Sequence, residues 1–125
     1  MVQTDPTQYS RECASWRENL RNYRSELSSY REKLQDVVSQ QVPRNELLNI
    51  EHYNNQFEIQ LANINKLKHD IKEHERAALF THSLNLTHPE SLQQTHENLL
   101  DQYISLEGTI VDLKKEFSAF VSRMN

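Results

Sequence analysis

Residues 15–34 read SWRENLRNYRSELSSYREKL. Their bulky members, Trp16, Leu20, Tyr23, Leu27, Tyr30 and Leu34, are spaced four, three, four, three and four residues apart. That beat puts all of them on one stripe of an α-helix, because about 3.6 residues complete a turn. Followed in both directions, the stripe resolves into two interleaved heptad positions. One holds Tyr9, Trp16, Tyr23, Tyr30 and Val37, and the other holds Cys13, Leu20, Leu27, Leu34 and Gln41. The intervening positions are almost wholly polar, so the helix has one adhesive seam and a solvated remainder. Aromatic rings alternating with leucines make layers thicker than a two-stranded seam holds, which predicts a bundle of three or four helices. Trp16, Tyr23 and Tyr30 are expected in its core.

Prolines divide the rest. In TDPTQ (residues 4–8), Asp5 can cap a helix, Pro6 suits its first turn and Gln8 stands at capping-box spacing. Pro43 cannot continue that helix, since it lacks an N–H and its ring clashes with the preceding turn. In THPE (residues 87–90), Thr87 and Glu90 form a second capping box around Pro89. The predicted helices therefore span about 6–41, 43–80 and 88–124, each roughly 50 Å long. The connection at Pro43 is very short, and short connections make antiparallel neighbours. The expected fold is a single all-α domain over residues 1–125, an elongated, coiled-coil-like, up-down-up bundle. One Gly and three Pro in the whole chain fit so few, long elements.

The third segment keeps the beat at Leu92, His96, Leu99, Tyr103, Leu106, Ile110, Leu113, Phe117, Phe120 and Met124. Leu100, Ile104, Val111 and Val121 flank it, giving more apolar surface than one seam consumes and suggesting a homodimer through this helix. The second segment is less regular. Leu47, Ile50, Phe57, Leu61, Ile64 and Ile71 hold its seam, Asn54, Lys68 and Glu75 interrupt it, and Tyr53, Leu67 and His74 lie one position aside. Its stripe drifts, as a 3.6-residue helix does against a 3.5-residue repeat. In layout the three long helices are similar to spectrin-type repeats. That likeness is architectural and carries no function across.

Hydrophobic residues make up 36% of the chain, and the mean hydropathy is -0.84, which suits thin helices burying narrow stripes. Fourteen basic and eighteen acidic residues give a net charge of -4, spread without a basic block, so nucleic-acid binding is not expected. No run approaches the ~18 apolar residues of a membrane span. The opening MVQTDPTQYS lacks the features of a signal peptide, and Cys13 has no partner for an internal disulfide. A cytoplasmic setting is the expectation.

The motifs of catalysis are missing. One glycine cannot build a phosphate loop, no HExxH occurs, and no histidine has a glutamate three residues before it, as di-iron bundles require. Neither catalysis nor a cofactor is expected. Five of six histidines (His69, His74, His82, His88, His96) lie on the hairpin of the second and third helices. A turn near Asn85 would bring His74 level with His96, with Asp70 one turn before His74. These three are the candidate ligands for zinc or a similar ion. The alternative is a hydrogen-bonded pair at a wet boundary, titrating near neutral pH. Cys13 reads as a small buried hydrophobe.

Two surface patterns remain. Arg17, Arg24 and Arg31 form a stripe expected to pair with Glu51, Glu58 or Glu116, and otherwise open to an acidic partner. In LFTHSLNL (residues 79–86), Leu79, Phe80, Leu84 and Leu86 are expected to plug the bundle end, and otherwise to form a docking patch. The functional expectation is a non-enzymatic interaction or scaffolding module. Its partner is a protein or a second copy, contacted through Leu100, Ile104, Val111 and Val121 or through Phe80, Leu84 and Leu86. The alternatives are a metal- or pH-responsive bundle built on the histidines, or a chaperone-like binder of a client helix.

Overall fold

The computed structural model describes residues 6–40, 42–84 and 90–124. Helix α1 (Pro6–Ser39) is followed by a 3₁₀ turn (Arg44–Glu46), α2 (Leu47–Ser83) and α3 (Glu90–Met124). Among the described residues there is no strand, and no helix is long and apolar enough to cross a membrane. The direction of each helix follows from which residues meet. Arg17 pairs with Glu75 and Arg31 with Glu58, so α2 descends beside α1. His74 meets His96 and Phe57 meets Phe117, so α3 rises again beside α2. The bundle is up-down-up.

Pro43 does not open the second helix as expected. It is extended (φ -56°, ψ 139°), and its carbonyl accepts the Glu46 N–H at 2.9 Å to close the 3₁₀ turn. Helix α2 begins only at Leu47, which is half-exposed rather than a member of the seam. At its other end α2 runs past Phe80 to Ser83, where the Leu84 N–H still reaches the Phe80 carbonyl at 3.2 Å. The capping groups Asp5, Thr87 and Pro89, and the seam residue Gln41, lie outside the described residues.

The core follows the seam read from the sequence, except that Val37, Leu61 and Met124 are only partly buried. Tyr9, Cys13, Trp16, Leu20, Leu27 and Leu34 of α1 are buried. On α3 the buried set is Leu92, His96, Leu99, Tyr103, Leu106, Ile110, Leu113, Phe117 and Phe120. On α2 the stripe drifts as expected: Ile50, Phe57 and Ile64 give way to Leu67, Ile71, His74 and Ala78. Phe57 and Phe117 anchor one end, edge to face at 4.9 Å between centroids. Such geometry sets the positive ring edge against the negative face.

Tyr23 and Tyr30 are corrected from core to half-buried. Helices α1 and α3 run parallel, and aromatic side chains fill the space between them. A phenol in that position must reach a polar partner. Tyr23 donates to Glu107 Oε2 at 2.8 Å. Tyr103 donates to the same oxygen at 3.1 Å while accepting from Asn19 at 2.8 Å. Lys114 pairs with Glu26 along the same border.

That border also reorganises the flank of α3. Leu100, Glu107, Lys114 and Val121 recur at seven-residue steps and so share one side of the helix. Glu107 and Lys114 meet α1 on that side, and Leu100 and Val121 pack partly buried against the core there. Of the four aliphatic flanking residues, only Ile104 is exposed, at 57%, and Val111, seven residues on along the same line, is half-buried. Gly108 lies on the outer face with open space around its Cα, where it costs the helix about 0.5–1 kcal/mol relative to alanine.

Candidate functional site

At the end of the bundle where α1 begins, the core turns polar. His74 Nε2 and His96 Nδ1 stand 3.0 Å apart, and both rings are buried. The far nitrogen of His96, Nε2, meets the carboxylate of Glu12. In the tautomer that carries its proton on Nε2 towards Glu12, His96 accepts at Nδ1 from His74 Nε2–H, and the chain runs from His74 to His96 to Glu12. Tyr9 and Trp16 wall it in, with ring centroids 4.3 and 4.8 Å from that of His96.

Cys13 completes the group. It is fully buried, and one ligand atom from each of Cys13, His74 and His96 lies within 4.8 Å of the other two. Each comes from a different helix. Its seam position on α1, one turn before Trp16, turns the thiol inward, while Glu12 beside it sits at the rim. Behind the thiol, Arg17 Nη2 holds both oxygens of Glu75 at 2.9 Å. Glu75 thus interrupts the α2 seam because it serves a charge, not a core contact.

Burial pushes the Cys13 thiol up from 9.0 to about 12, with the Glu75 and Glu12 carboxylates adding to the rise and Arg17 opposing it. The thiol therefore stays neutral at every ordinary pH. Alkylation at pH 8 by a thiolate-selective reagent is expected to be at least about 10³-fold slower in the native than in the denatured chain, matching three decades of lost thiolate. Quenched labelling read by mass spectrometry measures the ratio. Equal rates would show that the thiol is not enclosed.

The structure brings together two of the three residues expected as ligands. Asp70 is not in the cluster; it pairs with Lys66 at 3.3 Å one turn away, four positions along the same helix. It lines, with Glu73, His74, Ala77 and Leu92, an open groove between α2 and α3. His69 and His82 are exposed, and His88 lies outside the described residues. Cys13 and Glu12 were missed as site residues. The signal was the heptad register itself, which puts Cys13 in the layers at the start of α1, the layers that parallel α3 completes with His96.

The other expected surfaces also change. Leu79, Phe80 and Leu84 do not plug the bundle; they are 50%, 65% and 51% exposed, while Leu86 lies outside the described residues. The end is filled instead by Tyr9, Ala78, Leu92 and the histidines. Glu58 is taken by Arg31 at 2.8 Å, so the Arg24 pairing expected there is not made. Arg24 instead acts on Lys68, whose ammonium is lowered in pKa by burial and then by Arg24, Arg21, Lys72 and Arg17. Comparison of the chain with family models, curated proteins and solved structures finds no match.

Proposed function

We propose that this chain is a non-enzymatic helical bundle that binds an acidic, amphipathic segment of a partner protein along the face shared by α1 and α2. The observation carrying this reading is the set of charges around Lys68. The charges that lower it are all cationic, Arg24, Arg21, Lys72 and Arg17, of which Arg21 pairs with Glu18 and Arg17 with Glu75. Like charges so placed repel one another, and a carboxylate-rich partner relieves that repulsion. Leu79 and Phe80, exposed nearer the end of α2, offer an apolar partner face its contact. The single free cysteine suits a reducing, cytoplasmic setting.

The test is capture from the native cell, followed by binding measurements with the purified partner. Affinity is expected to fall about tenfold or more when Arg24→Glu and Lys68→Glu are combined, and to weaken as salt rises. Unchanged affinity in that variant would overturn the reading, as would a nucleic acid as the bound species. A second copy is the other reading, favoured by exposed Ile104 with Val111 near it. Sedimentation of Ile104→Glu against the parent chain tests it.

A further inference from the structure

Three helices place one metal-binding side chain each at one level of the core. We propose that Cys13, His74 and His96 form a site for a zinc-class divalent ion, with Glu12 as the carboxylate that orients His96. The proposal is independent of the α1–α2 face and goes beyond it.

Geometry comes first. Zinc bonds nitrogen at about 2.0–2.1 Å and sulfur at about 2.3 Å in a tetrahedron, which sets ligand atoms roughly 3.3–3.7 Å apart. The two imidazole nitrogens are 3.0 Å apart, and the widest separation within the triad is 4.8 Å. One pair must open slightly and the other separations close slightly, on side chains that already converge. His74 presents Nε2 to the shared space and His96 presents Nδ1. In the metal-bound form the His74 proton sits on Nδ1 rather than Nε2, whose lone pair goes to the ion.

The outer contacts fit as well. A histidine that ligates a metal through one nitrogen commonly donates its other N–H to a carboxylate, which fixes the tautomer and strengthens the donor. Glu12 stands at that place on His96 Nε2. The donor set decides the class of ion. One thiolate and two imidazoles favour zinc and its late first-row neighbours over magnesium or calcium, which want oxygen. A neutral buried thiol is no obstacle, because the ion displaces its proton as it binds. The charges then balance: a divalent ion against one thiolate and the Glu12 carboxylate, with Arg17 and Glu75 cancelling each other. His74 lines the open α2–α3 groove, which gives an ion an approach from solvent.

Titration of the full, reduced chain with zinc, and separately with cobalt(II), tests this. The expected result is one equivalent bound per chain and a melting temperature that climbs with zinc concentration. Cobalt should show a thiolate-to-metal absorption band together with tetrahedral ligand-field bands. Cys13→Ser should abolish that band. Glu12→Gln, at the half-exposed rim, should keep the band and weaken zinc binding about 10–100-fold. Far-ultraviolet circular dichroism confirms that each variant is folded, and His69→Asn with His82→Asn should bind as the parent does. Three results would overturn the proposal: no zinc bound by the folded parent chain, binding unchanged in Cys13→Ser, or binding lost only in the His69, His82 variant. The last would assign the ion to exposed histidines.

Discussion

Phe117→Ala is expected to destabilise the bundle by about 3–5 kcal/mol, the cost of deleting a buried aromatic side chain and leaving a cavity behind. Phe117 is 1% exposed and is the hub of the aromatic cluster. Its ring centroid lies 4.9 Å from Phe57, 5.5 Å from Tyr30 and 5.5 Å from Tyr53, so all three helices lose a contact at once. A domain of this size has roughly 5–15 kcal/mol of stability in total. The loss should therefore move the denaturant midpoint by a large fraction of its value. Phe80→Ala is the internal control. The same side chain is removed, but Phe80 is 65% exposed, and the expected change is within about 0.5 kcal/mol. A loss at Phe117 no larger than at Phe80 would mean that the layer is not packed as described.

Trp16→Ala should cost about 3–5 kcal/mol by the same mechanism. The indole is 7% exposed and stacks 5.9 Å from Tyr103 while lying 4.8 Å from His96. Its removal also opens the wall of the polar cluster, so water should reach the histidines and Cys13. Alkylation of Cys13 should then accelerate in Trp16→Ala but not in Phe117→Ala, as long as both variants remain folded. Guanidinium titration gives the first quantity and timed labelling the second. A stability loss below about 1 kcal/mol would place the indole outside the core. Fully water-quenched native fluorescence in the parent chain would say the same, since Trp16 is the sole tryptophan.

Local periodicity determined the helices and the seam. The spacing of Trp16, Leu20, Leu27 and Leu34 on α1, and of Leu99, Leu106 and Leu113 on α3, is a one-dimensional property, and each of these residues is buried. The levelling of His74 with His96 was also legible, because an antiparallel hairpin maps one sequence interval onto one distance. The rest depended on rotation and on a third helix. Leu100 and Ile104 stand four residues apart and so share one side of α3. That Leu100 packs against the core while Ile104 stays exposed depends on where α1 lies against that side. Tyr23 and Tyr30 hold seam positions, yet stop half-buried because a parallel α1–α3 border supplies Glu107 for one phenol and leaves space for large rings. The polar cluster shows the same division. Cys13, His74 and His96 are far apart in sequence and unremarkable singly. They become a group only because α1, α2 and α3 bring one buried side chain each to the same layer, a three-body coincidence that only packing decides.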